Sequence, residues 1–315
     1  MTKTKKISIL KNREKDLFEK DITKLAIYCI LLIPLPFILA KLFNNIGFDS
    51  ENNMFAGAVY LVYCFINILI IYFINKDYIL DNKTVRDNIS VKNFLSLFSV
   101  MITCMVLFTI PTIFLDIFLT LSGYTLETVA PANSSSDNVA SFLYVSILGP
   151  ICEEIIFRGL VQRTLEKYSP VIAIFTSAIF FAFYHENFSQ LFPMIGVGLV
   201  LGYVAYKYSL KASILMHITY NLFFGEIFGI ISDFLEKDGE EFLLPIINMS
   251  PFMFTLMVFC IIGIFVIGIT LKNNTLPFSQ YKIKIKKLLY AFYSSGMMIY
   301  STIIFCICIS FIEKI

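Results

Sequence analysis

Three charged side chains crowd into one short apolar stretch of this sequence. They are Glu153, Glu154 and Arg158, in the run Glu-Glu-Ile-Ile-Phe-Arg. A charge in the middle of a membrane helix costs roughly a few kcal/mol of insertion free energy, so such residues usually pair or mark a site. Glu154 and Arg158 are four residues apart and would share one helix face, where they can form an ion pair. Glu153 would point about 100° away around the helix and could face something else.

The chain has two histidines, and each shares a helix face with another residue of interest. His185 follows Phe181 by four residues, and Asn221 follows His217 by four, so each pair lies one turn apart on one face. A histidine beside a glutamate can orient a water or carry its proton. Two glutamates, two histidines and an asparagine could also bind a divalent metal with an open position, as catalytic zinc requires.

Each of these patterns taken alone also fits a structural role. The Glu-Glu-x-x-x-Arg run could be an ion pair that fixes helix packing, and either histidine could be a satisfied interior residue. Asn221 could join two helices by a hydrogen bond. Asp116 and Glu226, in other apolar stretches, could hydrogen-bond within a bundle or line a wet cavity. The occurrence of all the patterns in one chain, at compatible depths, favours a catalytic site.

The elements that position these residues are membrane helices. Of the 315 residues, 57% are hydrophobic and 15% are charged, and the mean hydropathy is +0.77. A water-soluble domain of this size cannot hide so much apolar surface. Since a helix needs roughly 20 apolar residues to cross the hydrocarbon core, we predict an all-α, polytopic transmembrane helical bundle of about nine spans. The segments are 25–40, 54–74, 94–121, 139–157, 170–184, 191–206, 212–231, 251–271 and 288–312.

The distribution of lysine and arginine predicts the orientation of the bundle. Most of them fall in five segments that share one side if every span crosses: 1–24 (eight), 75–93 (four), 158–167 (three), 207–211 (two) and 272–287 (five). The other side holds Lys41, Lys237 and Lys314. Because lysine and arginine are concentrated on the cytoplasmic side of membrane proteins, we predict a cytoplasmic N-terminus.

Connectivity predicts the depth of the polar residues. The turn between the fourth and fifth spans lies near Ser169, with Glu153 16 residues before it and His185 16 residues after it. In an antiparallel hairpin of continuous helices, these two residues therefore lie at similar depth. Lys211 marks the cytoplasmic edge of the seventh span, which puts His217 about 9 Å further in at 1.5 Å per residue. We accordingly expect a single site in the cytoplasmic half of the bilayer.

With these patterns, the sequence resembles the large CPBP family of membrane enzymes, also called the Abi family, which includes CAAX prenyl proteases and bacteriocin-processing enzymes. The family has three motifs on membrane helices: E-E-x-x-x-R, usually followed by glycine, then F-x-x-x-H, then H-x-x-x-N. All three are intact here, as Glu153-Glu154-x-x-x-Arg158-Gly159, Phe181-x-x-x-His185 and His217-x-x-x-Asn221. The resemblance covers roughly residues 139–231, under a third of the chain.

The resemblance implies a helical bundle that cuts a peptide bond at a site open towards the cytoplasm. By this resemblance, Glu153 and His185 would activate a water. His217 and Asn221 would polarise the scissile carbonyl and stabilise its oxyanion.

The same resemblance assigns supporting roles and leaves the cofactor open. Glu154 and Arg158 would support the water-activating pair. Family members have been described as metalloproteases and as metal-free glutamate enzymes, and we expect the metal-free form. If zinc or another divalent metal is used, its ligands would be Glu153, His185 and His217.

Four regions follow from the spans and the motifs. They are a basic cytoplasmic tail (1–24), N-terminal transmembrane helices (25–138), a CPBP-like catalytic helical core (139–231) and C-terminal transmembrane helices (250–315). The expected partners are the lipid bilayer and a peptide or membrane-protein substrate. A net charge of +2 is too small and too scattered to indicate a nucleic-acid partner.

The preferred hypothesis is a multi-pass protease of the bacterial plasma membrane that processes a peptide precursor or bacteriocin-related substrate, with a CAAX-type substrate as the less favoured case. The alternative is a non-enzymatic immunity or regulatory protein that binds a peptide or a sensor partner. A transporter with Glu153 and Glu154 as coupling carboxylates is weaker, because the sequence shows no internal repeat.

Overall fold

In the computed structural model, nearly all of the described chain is helical. The structure describes residues 3–47, 53–80, 87–126, 139–227, 251–273 and 285–314. The helices in these residues are α1 (Lys3–Leu32), α2 (Leu35–Asn45), α3 (Asn53–Leu80), α4 (Val91–Leu121), α5 (Val139–Glu166), α6 (Pro170–Phe183), α7 (Phe188–Lys207), α8 (Leu210–Tyr220), α9 (Pro251–Lys272), α10 (Ile285–Phe292) and α11 (Ser295–Ser310). A π-helical segment, Asn221–Ile227, continues α8.

The nine apolar segments expected from the sequence fall largely on these helices, although residues 228–231 of the seventh lie outside the described part of the chain. Within the described residues, five helical stretches are long and apolar enough to cross a membrane, and three shorter apolar helices accompany them. The prediction of a helical membrane bundle is therefore confirmed. The first segment is divided between α1 and α2, because Pro34 and Pro36 lack the N–H groups that would continue α1. Helix α1 already begins at Lys3, so the described part of the basic tail is helical.

One short antiparallel pair of strands joins the ends of α4 and α11. The strands are β1 (Tyr124–Leu126) and β2 (Ile312–Lys314), with Thr125 opposite Glu313. The sequence analysis did not predict them. The pairing places the C-terminal ends of α4 and α11 at one end of the bundle, here called the strand end. The nine-span prediction agrees with this. It puts an even number of membrane crossings between the end of α4 and the end of α11, so both ends lie on the same side.

Polar contacts connect Lys/Arg-rich segments at the opposite end, here called the basic end. The contacts are Asp21 Oδ2 with Lys167 Nζ (2.7 Å), Asp87 Oδ2 with Lys207 Nζ (2.7 Å) and Lys15 Nζ over the ring of Tyr290 (4.2 Å to the centroid). Each of the two ion pairs joins two segments that the charge distribution assigns to the same side, and Tyr290 lies at the start of the ninth predicted span, just after residues 272–287. Helix α4 runs from the basic end to the strand end, because Asp87 precedes it and β1 follows it.

Helices α5 and α7 lie side by side, held by hydrogen bonds from α5 side chains to the α7 backbone. Arg158 Nη2 donates to the carbonyl of Gly198 (3.2 Å), and Gln162 Nε2 donates to that of Gly202 (3.1 Å). A Cβ on Gly202 would lie 2.9 Å from Oε1 of Gln162, and one on Gly198 would lie 3.0 Å from Cα of Ala178 in α6. These glycines let the helix backbones approach closely, as small residues do in membrane bundles.

Candidate active site

Helix α5, which holds the paired glutamates, departs from regular α-helical geometry on both sides of them. The segments Tyr144–Leu148 and Ile155–Gln162 are π-helical, and the α-helical turn Gly149–Glu154 lies between them. A Cβ on Gly149 would lie 2.7 Å from the carbonyl oxygen of Tyr144, so this position requires glycine. π-Helical segments within α-helices are rare and frequently occur at functional sites.

Glu154 is a fully buried carboxylate held by three neighbouring side chains. Its oxygens lie 3.0 Å from Nη1 of Arg158, 3.1 Å from Nδ1 of His217 and 2.5 Å from the hydroxyl of Ser213. The Glu154–Arg158 ion pair predicted from the sequence is therefore present. Because an ionised carboxylate only accepts hydrogen bonds, Nδ1 of His217 donates in this contact. Glu154 thus fixes the orientation and the protonated nitrogen of the His217 ring.

Glu153 faces the other nitrogen of the same histidine. Its Oε2 lies 3.7 Å from Nε2 of His217, and its side chain is 18% exposed. The neighbouring Glu154 side chain is 0% exposed. The two adjacent glutamates are therefore in different surroundings, as their angular separation on the helix predicts: one is paired in the interior and one is partly open.

His185 lies in the turn between α6 and α7, and Asn187 holds that turn. Nδ1 of His185 is 2.9 Å from the carbonyl oxygen of Phe181, so Nδ1 donates and Nε2 is left as the acceptor of the neutral ring. Asn187 caps α7 by accepting from the backbone N–H of Gln190 (2.8 Å), and it donates to the carbonyl of His185 (2.7 Å). Glu186 between them adopts φ 57°. The ring of His185 is therefore held by Phe181, and its backbone carbonyl by Asn187.

Phe181 packs against three of the polar residues. Cζ of Arg158 lies 4.4 Å from the centre of the Phe181 ring, a cation–π contact. The ring also meets the imidazoles of His185 and His217 edge-on, at centroid distances of 4.9 Å and 5.6 Å. The first residue of the F-x-x-x-H motif thus contacts both histidines and Arg158.

Asn221 begins the π-helical continuation of α8. Its Nδ2 donates to the carbonyl of Val145 (2.7 Å) in the first π-helical segment of α5. A carboxamide nitrogen has two N–H groups, so this bond anchors the side chain and leaves one N–H for another acceptor.

A cavity of about 540 Å³ brings three of the predicted site residues together, because Glu153, His185 and Asn221 all line it. His217 is buried beside them, against Glu153. Aromatic residues form much of the rest of the wall, namely Tyr60, Tyr63, Tyr144, Tyr184 and Phe37. The hydroxyls of Tyr63 and Tyr184 hydrogen-bond to each other, and the rings of Tyr60 and Tyr144 stack at 4.7 Å.

The sequence analysis missed several residues of this region. Ser213 contacts Glu154 and precedes His217 by four residues, a spacing that could have revealed it. Glu186 lines the cavity and lies between the apolar helices, where burial raises the pKa of its carboxyl from 4.5 to about 7. The tyrosines gave no signal, because aromatic residues are common throughout this chain.

Glu153, His185 and His217, the ligands expected if a metal is used, do not form a metal site in the part of the chain that the structure describes. No group of three His, Cys, Asp or Glu side chains there is placed to hold a metal ion. Nδ1 of His217 is bonded to Glu154, and Nδ1 of His185 is bonded to the carbonyl of Phe181. Such bonds are also common in metal-bound histidines and leave Nε2 as the possible ligand atom of each ring, so it is the placement of the groups, and not these bonds, that forms no metal site among the described residues.

One of the two remaining charged residues of the apolar stretches has a structural contact. Glu226 is buried and accepts a hydrogen bond from Ser146 (3.3 Å). A hydrogen bond within the bundle is one of the two roles expected for it. Asp116 lies half-buried in α4. Both residues lie outside the described lining of the cavity.

The described helices and the buried polar cluster define a multi-pass helical membrane protein with a glutamate–histidine–asparagine site. Residues 135–223 match the family model described as Type II CAAX prenyl endopeptidase Rce1-like. The matched segment contains all three motifs and confirms the resemblance to the CPBP family. The match supports a CAAX-type intramembrane protease with a peptide or protein substrate. No curated protein and no solved structure matches the chain.

Proposed function

We propose that this protein is an intramembrane endopeptidase in which Glu153 is the general base. One observation carries the proposal: Glu153, His185 and Asn221, from three separate motifs, line one cavity, with His217 3.7 Å from Glu153. A carboxylate, imidazoles and a carboxamide around a common space are the groups that hydrolysis by an activated water needs. The family match supports a peptide bond as the target.

Glu153 and His185 hold and activate the attacking water. Nε2 of His185 is an acceptor, because Nδ1 donates to Phe181, and the Glu153 carboxylate is a second acceptor. Glu153 takes one proton of the water as the water oxygen bonds to the carbonyl carbon. Glu153 then gives this proton to the amide nitrogen as the carbon–nitrogen bond breaks. The products are a carboxylic acid and an amine, and the Glu153 carboxylate is restored.

His217 and Asn221 stabilise the negative charge that develops on the carbonyl oxygen. The free N–H of Asn221 supplies one donor, since its other N–H is bonded to Val145. A protonated Nε2 of His217 supplies the second donor, and the Glu154 carboxylate on Nδ1 balances the charge of the ring. Such donors gain strength in a water-poor site. Glu154 acts here through His217, which differs from its expected support of the water-activating pair.

Mass spectrometry of newly formed peptide termini tests this proposal. Cells that express the unchanged chain, Glu153→Gln and His185→Gln are compared at equal protein level in the membrane. Glu226→Gln is the matched control, because it changes a buried carboxylate that bonds to Ser146 outside the cavity lining. We expect termini that form with the unchanged chain and with Glu226→Gln and that are lost in the other two variants. The same termini in all four samples would favour a non-enzymatic binding protein.

A further inference from the structure

Glu186, which directly follows His185 in the sequence, is a second carboxylate on the wall of the cavity. Glu153 and Glu186 are the acidic residues among the described lining residues, which include no lysine or arginine. The proposed function assigns Glu153 to the attacking water and gives Glu186 no part in the chemistry. The three motifs do not include Glu186 either, so its place on the cavity wall has a separate explanation.

The turn that holds Glu186 does not itself require a glutamate. Glu186 adopts φ 57°, and within the described residues it is the one non-glycine residue with a positive φ. Its backbone N–H donates to the carbonyl of Phe183 (3.1 Å), and residues in the left-handed conformation are common where helices end. Glycine and asparagine adopt this conformation more easily than glutamate does. The shape of the turn therefore does not explain the glutamate side chain.

The carboxylate of Glu186 has no hydrogen bond or ion pair in the part of the chain that the structure describes. The residue is half-buried. By contrast, the buried carboxylate of Glu154 is bonded to three neighbouring side chains. A nearby positive charge favours the ionised form of a carboxyl group. The side chain of Glu186 is therefore available to bind a cation that a substrate brings into the cavity.

The aromatic wall of the cavity suits the same kind of ligand. Four tyrosines line it, namely Tyr60, Tyr63, Tyr144 and Tyr184. Lysine and arginine combine an apolar stem with a charged head. The stem can pack against such rings, and the head is attracted to their faces. The cavity thus offers both an apolar surface and a carboxylate to a basic side chain.

The place of Glu186 in the chain limits how far from the scissile bond such a cation can bind. Glu186 is one residue from His185, which the proposed function places at the attacking water, and consecutive Cα atoms are about 3.8 Å apart. The carbonyl of His185 is held by Asn187 (2.7 Å), so the turn is fixed at this point. Because an extended peptide advances roughly 3.3–3.6 Å per residue, a side chain that reaches Glu186 belongs to a residue within about two positions of the bond that is cut.

We infer that Glu186 makes this protein selective for peptides that carry a lysine or arginine within about two residues of the scissile bond. Glu186 is a specificity-determining residue: it binds the cation of the substrate and takes no part in breaking the bond. An acidic side chain at the same place in a substrate is repelled by Glu153 and Glu186. The inference rests on the proposed function for the cleavage that follows binding.

Peptide binding tests the recognition without any need for cleavage. The probes are short apolar peptides with blocked ends and a fluorophore, identical except for lysine, glutamine or glutamate at the centre. Fluorescence polarisation measures their binding to the full chain in phosphatidylcholine nanodiscs, with empty nanodiscs as the background. The unchanged chain is compared with Glu186→Gln, Glu186→Lys and Glu186→Gly. Glu226→Gln is the matched control, because that carboxylate bonds to Ser146 outside the described cavity lining.

We expect the unchanged chain and Glu226→Gln to bind the lysine peptide about tenfold more tightly than the glutamine peptide, as one hydrogen bond between charged groups allows. The glutamate peptide should bind most weakly. Glu186→Gln should lose this preference, and Glu186→Lys should shift it towards the glutamate peptide. Glu186→Gly removes the carboxylate and relieves the positive φ, so it should lose the preference while the thermal stability is kept. Equal binding of the lysine and glutamine peptides, or a preference that Glu186→Gln retains, would overturn the inference.

The position of the cuts separates this inference from the proposed function. Peptide termini newly formed in cells that express the unchanged chain should have lysine or arginine within about two residues of the cut, and Glu186→Gln should remove this bias. Cleavage without the bias would overturn the inference and leave the proposed function intact. A lysine preference in binding without cleavage of any peptide would reject the proposed function and leave Glu186 as the residue that recognises the cation.

Discussion

Glu154→Gln should destabilise the protein, because Glu154 is buried against a cation. Both side chains of the Glu154–Arg158 pair are 0% exposed, and Oε1 lies 3.0 Å from Nη1. Removal of one partner of a buried ion pair leaves an uncompensated charge, which typically costs about 3–5 kcal/mol. The same change weakens the hydrogen bonds to His217 and Ser213. We therefore expect a loss of unfolding free energy of about 3–5 kcal/mol, together with loss of cleavage.

A thiol-reactive fluorescent dye measures this loss during heating in detergent. Four of the seven cysteines are buried, so they react as the bundle opens. Glu154→Gln should lower the transition temperature clearly. Glu226→Gln, which neutralises another buried carboxylate, one that bonds to Ser146, is measured in parallel.

A double variant separates the charge effect from other consequences of the substitution. Arg158→Met in the Glu154→Gln background removes the uncompensated cation, and replacing both members of a buried pair is often close to neutral. The double variant should recover much of the lost stability without recovering activity, because His217 still lacks its carboxylate partner. A Glu154→Gln protein as stable as the unchanged chain, or a double variant no more stable than the single one, would refute this reasoning.

Four further outcomes are expected. Glu153→Gln should slow cleavage of an identified substrate roughly 10²–10⁴-fold, the usual contribution of a general base; an unchanged rate would exclude that role. A chelator should leave cleavage unchanged, whereas loss of cleavage that zinc restores would establish a metal enzyme. Gly198→Leu should cost about 1–3 kcal/mol by overpacking against Ala178, measured by the dye assay, while Gly268→Leu, with open space around it, should be tolerated. Stability should fall as pH rises from 4.5 to about 7, since folded Glu186 retains its proton longer than the unfolded chain does; Glu186→Gln should flatten this dependence in the same assay.

The helices could be predicted because lipid imposes a simple rule on the sequence. Every backbone polar group in the hydrocarbon core must bond internally, so long apolar runs become helices. The division at Pro34 also follows from local chemistry. The packing of Leu210 against Gly159 could not be predicted, because it depends on how α5 and α8 meet in the folded bundle. The β1–β2 pair joins segments far apart in the chain and depends on the completed bundle.

The sequence predicted that the candidate site residues lie close together, but it predicted fewer of their contacts. The Glu154–Arg158 pair follows from spacing along one helix. The contact between Glu154 and His217 spans 63 residues, and it depends on the rotation of α8, which sequence spacing does not determine. The π-helical geometry of α5 likewise changes the direction of side chains in a way that a regular helical pattern does not reveal.

The two hydrogen bonds from Arg158 and Gln162 to the α7 backbone lie one turn apart, so α5 and α7 cannot slide past each other without breaking both. Asn187, at the start of α7, holds the backbone of His185. Any such sliding would change the separation of Glu153 and His185. Thin and thick bilayers impose different helix tilts, but helices fastened in register tilt as one unit. The spacing of Glu153 and His185 should therefore be preserved across membranes of different lipid chain length.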